Sequence, residues 1–201
     1  MEARLRDDSV VLVRRVDPTD KDTIRAGFDR LGAESRYRRF LSPMPELTEH
    51  MLRYLTEVDH HDHEAMIAID PDSGQGVGIA RFIRTGRPDV AEVAVTVVDD
   101  WQGRGLGTRL LELLAARARE EGISRFTALV LATNADIIDL LGRLGSMHVV
   151  GHNGPSVELE AELPPAGLPP AFKVLLRESA DVGSPIEASG TLVPAGHAAT
   201  S

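Results

Sequence analysis

The stretch Val93–Leu114 reads VAVTVVDDWQGRGLGTRLLELL, and its reading decides the fold. Val93–Val98 alternates little and is almost wholly apolar, as a strand covered on both faces must be. Glycines follow at 103, 105 and 107, and an amphipathic pattern starts at once with Leu106. Glycine leaves the backbone unobstructed, so successive N–H groups can converge on one anion. The start of a helix adds unpaired N–H donors and a partial charge of roughly +0.5. Strand, glycine loop and helix together make a site for a pyrophosphate-like anion.

Two better-known glycine loops do not fit. A P-loop needs Lys followed by Ser or Thr after its last glycine, whereas Gly107 precedes Thr108 and Arg109. A dinucleotide fingerprint opens the first βαβ unit with G-x-G-x-x-G spacing. Here the glycines alternate strictly and sit mid-chain. A tight turn that binds nothing is the remaining alternative. Each glycine inside an element costs ~0.5–1 kcal/mol against alanine, and three so close together favour the anion site.

Outward from this loop the chain alternates strands and helices. Val10–Val16 is a β-branched run, followed by the cap signal Asp17-Pro18 and a helix to about Leu31. Glu34–Leu41 is predicted as a short helix, and Thr48 caps another with Leu47, Met51, Leu52 and Leu55 on its apolar face. Ala65–Ile69 and Val77–Ile83 form a hairpin around Asp70-Pro71-Asp72-Ser73-Gly74. Leu106–Glu121 is the strongest helix, with Leu106, Leu110, Leu113, Leu114 and Ala118 on one face. Phe126–Leu131, a helix over 136–144, and strands at Met147–Val150 and Val157–Leu163 complete a mixed α/β sheet with helices on both faces.

Composition narrows the function classes. Zero cysteines remove disulfides, thiolate zinc sites and a cysteine nucleophile. No apolar run approaches the ~18–20 residues of a membrane span, and the charged N-terminus lacks a signal-peptide core, so a cytoplasmic location is expected. Net charge is −9. After Leu163, Lys173 and Arg177 oppose Glu178, Asp181 and Glu187, which leaves −8 on the body. Such a surface repels nucleic acid and anionic lipid, and favours basic partners. Residues 164–201 hold six of the twelve prolines among Gly, Ala and Ser. They are expected to be a largely disordered tail, with a short helix at Ala171–Arg177, beside a folded domain over 1–163.

The sequence Gln102-Gly103-Arg104-Gly105-Leu106-Gly107 resembles the signature of the GNAT acyltransferases, Gln/Arg-x-x-Gly-x-Gly/Ala after a strand. Asn134, past the strand Phe126–Leu131, is similar to an asparagine that contacts coenzyme A in that family, and Leu144-Gly145 to its Leu-Gly before the last strands. Glu34–Phe40 (ESRYRRF) and Asp59–Ala65 (DHHDHEA) resemble the bacterial protein-lysine acetyltransferases of the Pat type. The resemblance spans roughly 10–163 and implies a mostly antiparallel, twisted GNAT sheet. It also implies acetyl-CoA as cosubstrate and a protein acceptor of the acyl-CoA synthetase kind.

For coenzyme A the resemblance implies backbone contacts from Val95, Thr96 and Val97 to the pantetheine amides. Gln102, Gly103, Arg104, Gly105, Leu106, Gly107 and Thr108 would hold the pyrophosphate, with Arg104 and Arg109 as charge partners and Asn134 as a further contact. Glu92 is the one carboxylate in the strand Ala91–Val98, and by alternation it shares a face with Ala94 and Thr96. It is either a solvated strand-end residue beside Asp89 or a functional acid. The resemblance places a general base at or within one residue of it. Many relatives carry a tyrosine seven residues after the asparagine to protonate the leaving thiolate, and here that position is Leu141.

His60, His61 and His63 with Asp62 invite a metal reading, but no further ligand set accompanies them, and they are assigned to the acceptor side instead. Arg36, Arg38 and Arg39 read as a solvated helix face rather than a phosphate patch. Three functions therefore compete: lysine acetylation on a protein, acetylation of a small amine, and a coenzyme A-binding module without turnover.

Overall fold

The computed structural model describes residues 1–163; the predicted tail and its Ala171–Arg177 segment lie outside the described residues. The elements run β1 (Glu2–Arg4), β2 (Val10–Arg15), α1 (Lys21–Asp29), α2 (Ala33–Phe40), α3 (Glu49–Thr56), β3 (His63–Ile69), β4 (Gly76–Arg84), β5 (Val90–Val97), α4 (Leu106–Glu120), β6 (Arg125–Leu131), α5 (Ala135–Gly142), β7 (Met147–Asn153) and β8 (Ser156–Glu162). One sheet holds the eight strands in the order β1-β2-β3-β4-β5-β6-β8-β7. Only β5 and β6 pair in parallel; every other neighbour is antiparallel.

Local chemistry accounts for most boundaries. Asp17 accepts from the Thr19 N–H while Asp20 accepts from the Asp17 N–H, a reciprocal cap on a short 3-10 turn that leads into α1. Thr48 caps α3 by accepting from the Met51 N–H at 3.2 Å. Helix α5 starts at Ala135 and ends at Gly142, two residues short of the expected Leu144. Strand β7 continues to Asn153, beyond the expected Val150, because β8 pairs with it along that length. Strand β1, absent from the sequence reading, is a three-residue edge paired with Val10–Leu12.

The sheet separates two layers. Helix α4 packs on β3, β4 and β5 from one side, while α1 and α3 lie together on the other. Leu106, Leu110, Leu111, Leu114, Ala115 and Ala118 are buried on α4. Full burial of a leucine is worth about 1.5–3 kcal/mol, so this one face is a main source of stability. The close approach depends on Gly78, where an added Cβ would stand 3.0 Å from Leu110 Cδ1 and 3.1 Å from Leu106 Cδ2. Gly145 is more tightly constrained, since a Cβ there would meet the Glu162 carbonyl oxygen at 2.5 Å. That contact gives the Leu144-Gly145 pair a packing reason.

The α4 face also buries a charge. Glu64 has no solvent exposure, and its carboxylate meets His60 Nδ1 at 2.7 Å, Arg117 Nε at 3.2 Å and Arg15 Nε at 3.3 Å. Arg117 of α4 therefore turns inward.

Candidate active site

Strands β5 and β6 pair at only three positions, Val90–Arg125, Ala91–Phe126 and Glu92–Thr127. Beyond them β5 continues to Val97 on β4, and β6 continues to Leu131 on β8. The two strands therefore part after Glu92. Val93–Val97 keeps a backbone edge with no β6 partner, and such an edge can hydrogen-bond an extended amide-bearing ligand. Val95, Thr96 and Val97 lie on this edge.

The loop closes the far end of the split. Gly103 and Gly105 have φ of +76° and +87°, a left-handed backbone that side chains seldom adopt. Gly105 is the N-cap of α4, and no side chain caps it, so the first-turn N–H groups of Leu106, Gly107 and Thr108 point outward for a ligand. An added Cβ on Gly107 would lie 3.6–3.9 Å from Leu140, Val97 and Val95, which brings α5 and β5 together at the helix start. Asn134 is the N-cap position of α5, yet its side chain makes no cap bond.

Other members of the predicted set are engaged within the protein. The Gln102 side-chain amide donates to the Val97 carbonyl at 3.0 Å, to Asp99 at 3.2 Å and to Ser35 Oγ at 3.3 Å. It braces the loop against α2. Arg104 stacks over Trp101 at 4.7 Å and donates to the Asp100 carbonyl at 2.7 Å. Arg109 lies 3.5 Å from Glu112. Arg6, which the local pattern did not single out, crosses the loop: its N–H donates to the Arg104 carbonyl at 3.0 Å, and its Cγ would lie 3.0 Å from a Cβ on Gly105.

Glu92 is exposed on β5 and faces the α1–α3 side of the sheet with Ala94 and Thr96. It lines a cavity of about 240 Å³ with Arg39, Phe40, Met51, Tyr54, Leu55, Arg81 and Ile83. Helix α2 is held over this end of the sheet by Asp99, which accepts from the Gly32 N–H at 2.9 Å, and by Arg38, 3.2 Å from Asp136 of α5. Burial and the neighbouring Arg81 push His63 down to about 4, so the imidazole is neutral at pH 7. Its Nε2 lies 2.5 Å from Arg81 Nη2. His60 and His61 are drawn elsewhere, to Glu64 and Glu121. Among the described residues no group of three His, Cys, Asp or Glu could hold a metal ion.

Residues 32–145 match the Acetyltransferase (GNAT) family, a span that includes the split, the loop, Glu92 and Asn134. The chain belongs to the GNAT acetyltransferase family. Members of this family take their acyl group from acetyl-CoA. The GNAT chain is 36% identical over 170 residues to acetyltransferase Pat of Mycolicibacterium smegmatis, covering 84% of this chain and 50% of that protein. It thus spans about half the length of that relative. An acetyltransferase of Pseudomonas aeruginosa is 32% identical over 143 residues, covering 70% of this chain and 77% of that protein. The GNAT domain of S. lividans PAT superposes with a TM-score of 0.75 at 32% identity, covering 81% of this chain and 96% of that one.

Within this GNAT fold Leu141 is buried, with 1% of its surface exposed, so the position where many relatives carry a phenol belongs to the core. Tyr54 is the tyrosine that lines the cavity together with Glu92. No helix among the described residues is long and apolar enough to cross a membrane.

The loop geometry sharpens one test. Valine at 105 would be strained by the positive φ alone, at about 1–3 kcal/mol, and would confuse folding with binding. Asparagine tolerates this conformation. Gly105→Asn is expected to keep most of the stability while its side chain obstructs the loop and lowers acetyl-CoA affinity at least tenfold by calorimetry. Unchanged affinity would reject the loop as the donor site.

Proposed function

We propose that this GNAT enzyme acetylates a lysine side chain of a protein, with Glu92 as general base and no acyl-enzyme intermediate. The observation that carries the reading is Glu92 itself: the last β5 residue paired to β6, it stands between the split and the cavity. A lysine ammonium has a pKa of about 10.4 and cannot attack a thioester until a proton leaves. Glu92 takes that proton, and the nitrogen lone pair adds to the thioester carbonyl carbon. The C–N bond forms, the C–S bond breaks, and the electron pair leaves on sulfur. The second nitrogen proton passes to solvent as the amide forms, and solvent supplies the proton that converts the thiolate to coenzyme A.

Acetyl-CoA lies along Val95, Thr96 and Val97, with its pyrophosphate on the Gly103–Thr108 backbone. Gln102 and Arg104 shape that loop from behind. Similarity to Pat supports a protein acceptor, with an acyl-CoA synthetase as the first candidate, and a cytoplasmic location suits such a partner. Incubating the enzyme with labelled acetyl-CoA and a bacterial lysate tests the reading. Label on protein lysines is expected; label confined to small molecules would transfer the assignment to small-amine acetylation.

Asn134 gives a second check. Its side chain has no cap bond at the start of α5, the helix whose Leu140 stands against Gly107. Asn134→Ala is expected to raise the KM for acetyl-CoA several-fold and leave the acceptor KM nearly constant. A change confined to the acceptor KM would place Asn134 on the other substrate.

A further inference from the structure

The cavity beside Glu92 carries more positive charge than its own residues balance. Arg81 is 4% exposed in the middle of β4, and Arg39 reaches the same cavity from α2. Neither forms a salt bridge among the described residues. Arg81 has the Tyr54 ring at 4.5 Å and the neutral His63 at 2.5 Å; Arg39 has the Phe40 ring at 5.1 Å. These partners satisfy shape and some hydrogen bonds but cancel no charge. Among the described residues Glu92 is the one carboxylate lining the cavity, so two guanidiniums and one carboxylate leave a surplus of one positive charge.

The register explains the cluster. Arg81 pairs with Ala94, and Ile83 pairs with Glu92, so Arg81 is the diagonal neighbour of Glu92 on one face. Burial, then the charge of Arg81, pushes Arg39 down to about 10, and burial pushes Arg81 down as well, with the Glu92 carboxylate opposing both shifts. A guanidinium keeps its proton at neutral pH, so both charges stand. Holding two like charges at one cavity is unfavourable unless a ligand compensates them.

We propose that Arg39 and Arg81 bind a carboxylate of the acceptor, placed a few atoms from the amine that Glu92 deprotonates. This deepens the lysine-acetylation reading and rests on it. Phe40, Met51, Leu55 and Ile83 line the same cavity and suit the methylene stem of a lysine. The planar guanidinium forks match a carboxylate in two-point contact. In a protein acceptor the carboxylate is an Asp or Glu side chain next to the lysine; in a free amino acid it is the α-carboxylate.

The test compares acceptors that differ only in this charge. Lysine peptides with Asp and Glu beside the lysine are paired with their Asn and Gln counterparts, and free lysine is paired with lysinamide. Wild-type kcat/KM should favour the carboxylate member of at least one pair by about 10- to 100-fold, the factor of one charge-assisted contact. Arg81→Gln and Arg39→Gln should each pull that ratio toward one. Arg39 is only partly buried, so its variant answers the question if Arg81→Gln fails to fold. Preference in the peptide pair assigns a flanking acidic residue. Preference in the amino-acid pair alone keeps the carboxylate site and overturns the protein-acceptor reading. Ratios near one in both pairs, with peptides still acetylated, overturn the carboxylate site and leave lysine acetylation standing. A succinyl-CoA arm covers the other source: preference for succinyl- over acetyl-CoA that Arg39→Gln abolishes would move the carboxylate to the donor and reject the proposal.

Discussion

Glu92→Gln is expected to lower kcat by about 10²–10⁴-fold at pH 7, the usual contribution of a general base. Glutamine keeps the size and the hydrogen-bonding plane of the side chain but accepts no proton. Acetyl-CoA binding should persist, because Glu92 faces the cavity rather than the Val95–Val97 edge. Raising the pH supplies neutral amine from solution and should recover part of the lost rate, while the wild type levels off earlier. Full activity of the variant at pH 7, or an equal loss at every pH, would exclude Glu92. Glu34 is poorly placed to replace it, since its carboxylate is exposed and ion-paired to Arg38 at 2.6 Å.

The second large effect concerns stability. Glu64→Ala removes a fully buried carboxylate from between His60, Arg15 and Arg117, while Arg117 keeps Glu120 and Glu121. Breaking a buried ion pair from one side costs about 3–5 kcal/mol. Arg15 is half exposed and can rehydrate, which places the expected loss toward the lower end. The Ala65 N–H, which donates to Glu64 at 3.1 Å, loses its acceptor as well. Urea unfolding should show this as a lower midpoint with an unchanged slope. A loss below about 1 kcal/mol would mean that the cluster is wetter than its burial indicates.

Glu64 also marks where sequence reasoning stopped. His60 is a near neighbour in the chain, but Arg15 and Arg117 come from β2 and α4, and no local pattern links three such distant positions. Local chemistry, by contrast, was legible. The caps at Asp17 and Thr48, the glycine loop and the amphipathic α4 are all written within a few residues. The three-residue β1 was not, because Ala3 is the only buried residue of the strand and its pairing depends on β2. The split between β5 and β6 is likewise a property of pairing partners, while Val93–Val97 by itself reads as an ordinary buried strand.

Arg81 is a different case. An isolated charge in an apolar strand is the criterion that selected Glu92, and it selects Arg81 within Gly76–Arg84 equally well. Arg39 is hidden for the opposite reason. It sits in a basic run with Arg36 and Arg38, and only the fold separates their roles. Arg36 donates to the Leu31 carbonyl at 2.9 Å, Arg38 pairs with Glu34 and Asp136, and Arg39 alone turns to the cavity. A run of like charges on a short helix is therefore three different environments.

The central claim is that one continuous groove, from the Gly103–Thr108 backbone along the free edge of β5 to Glu92, holds acetyl-CoA. Amide chemical shifts of the nitrogen-15-labelled protein, recorded while coenzyme A is added, test it residue by residue. The account predicts the largest shifts at Gly103, Gly105, Leu106, Gly107 and Thr108, smaller ones at Val95, Thr96 and Val97, and little change in β7. Loop amides that stay still while shifts appear elsewhere would contradict it.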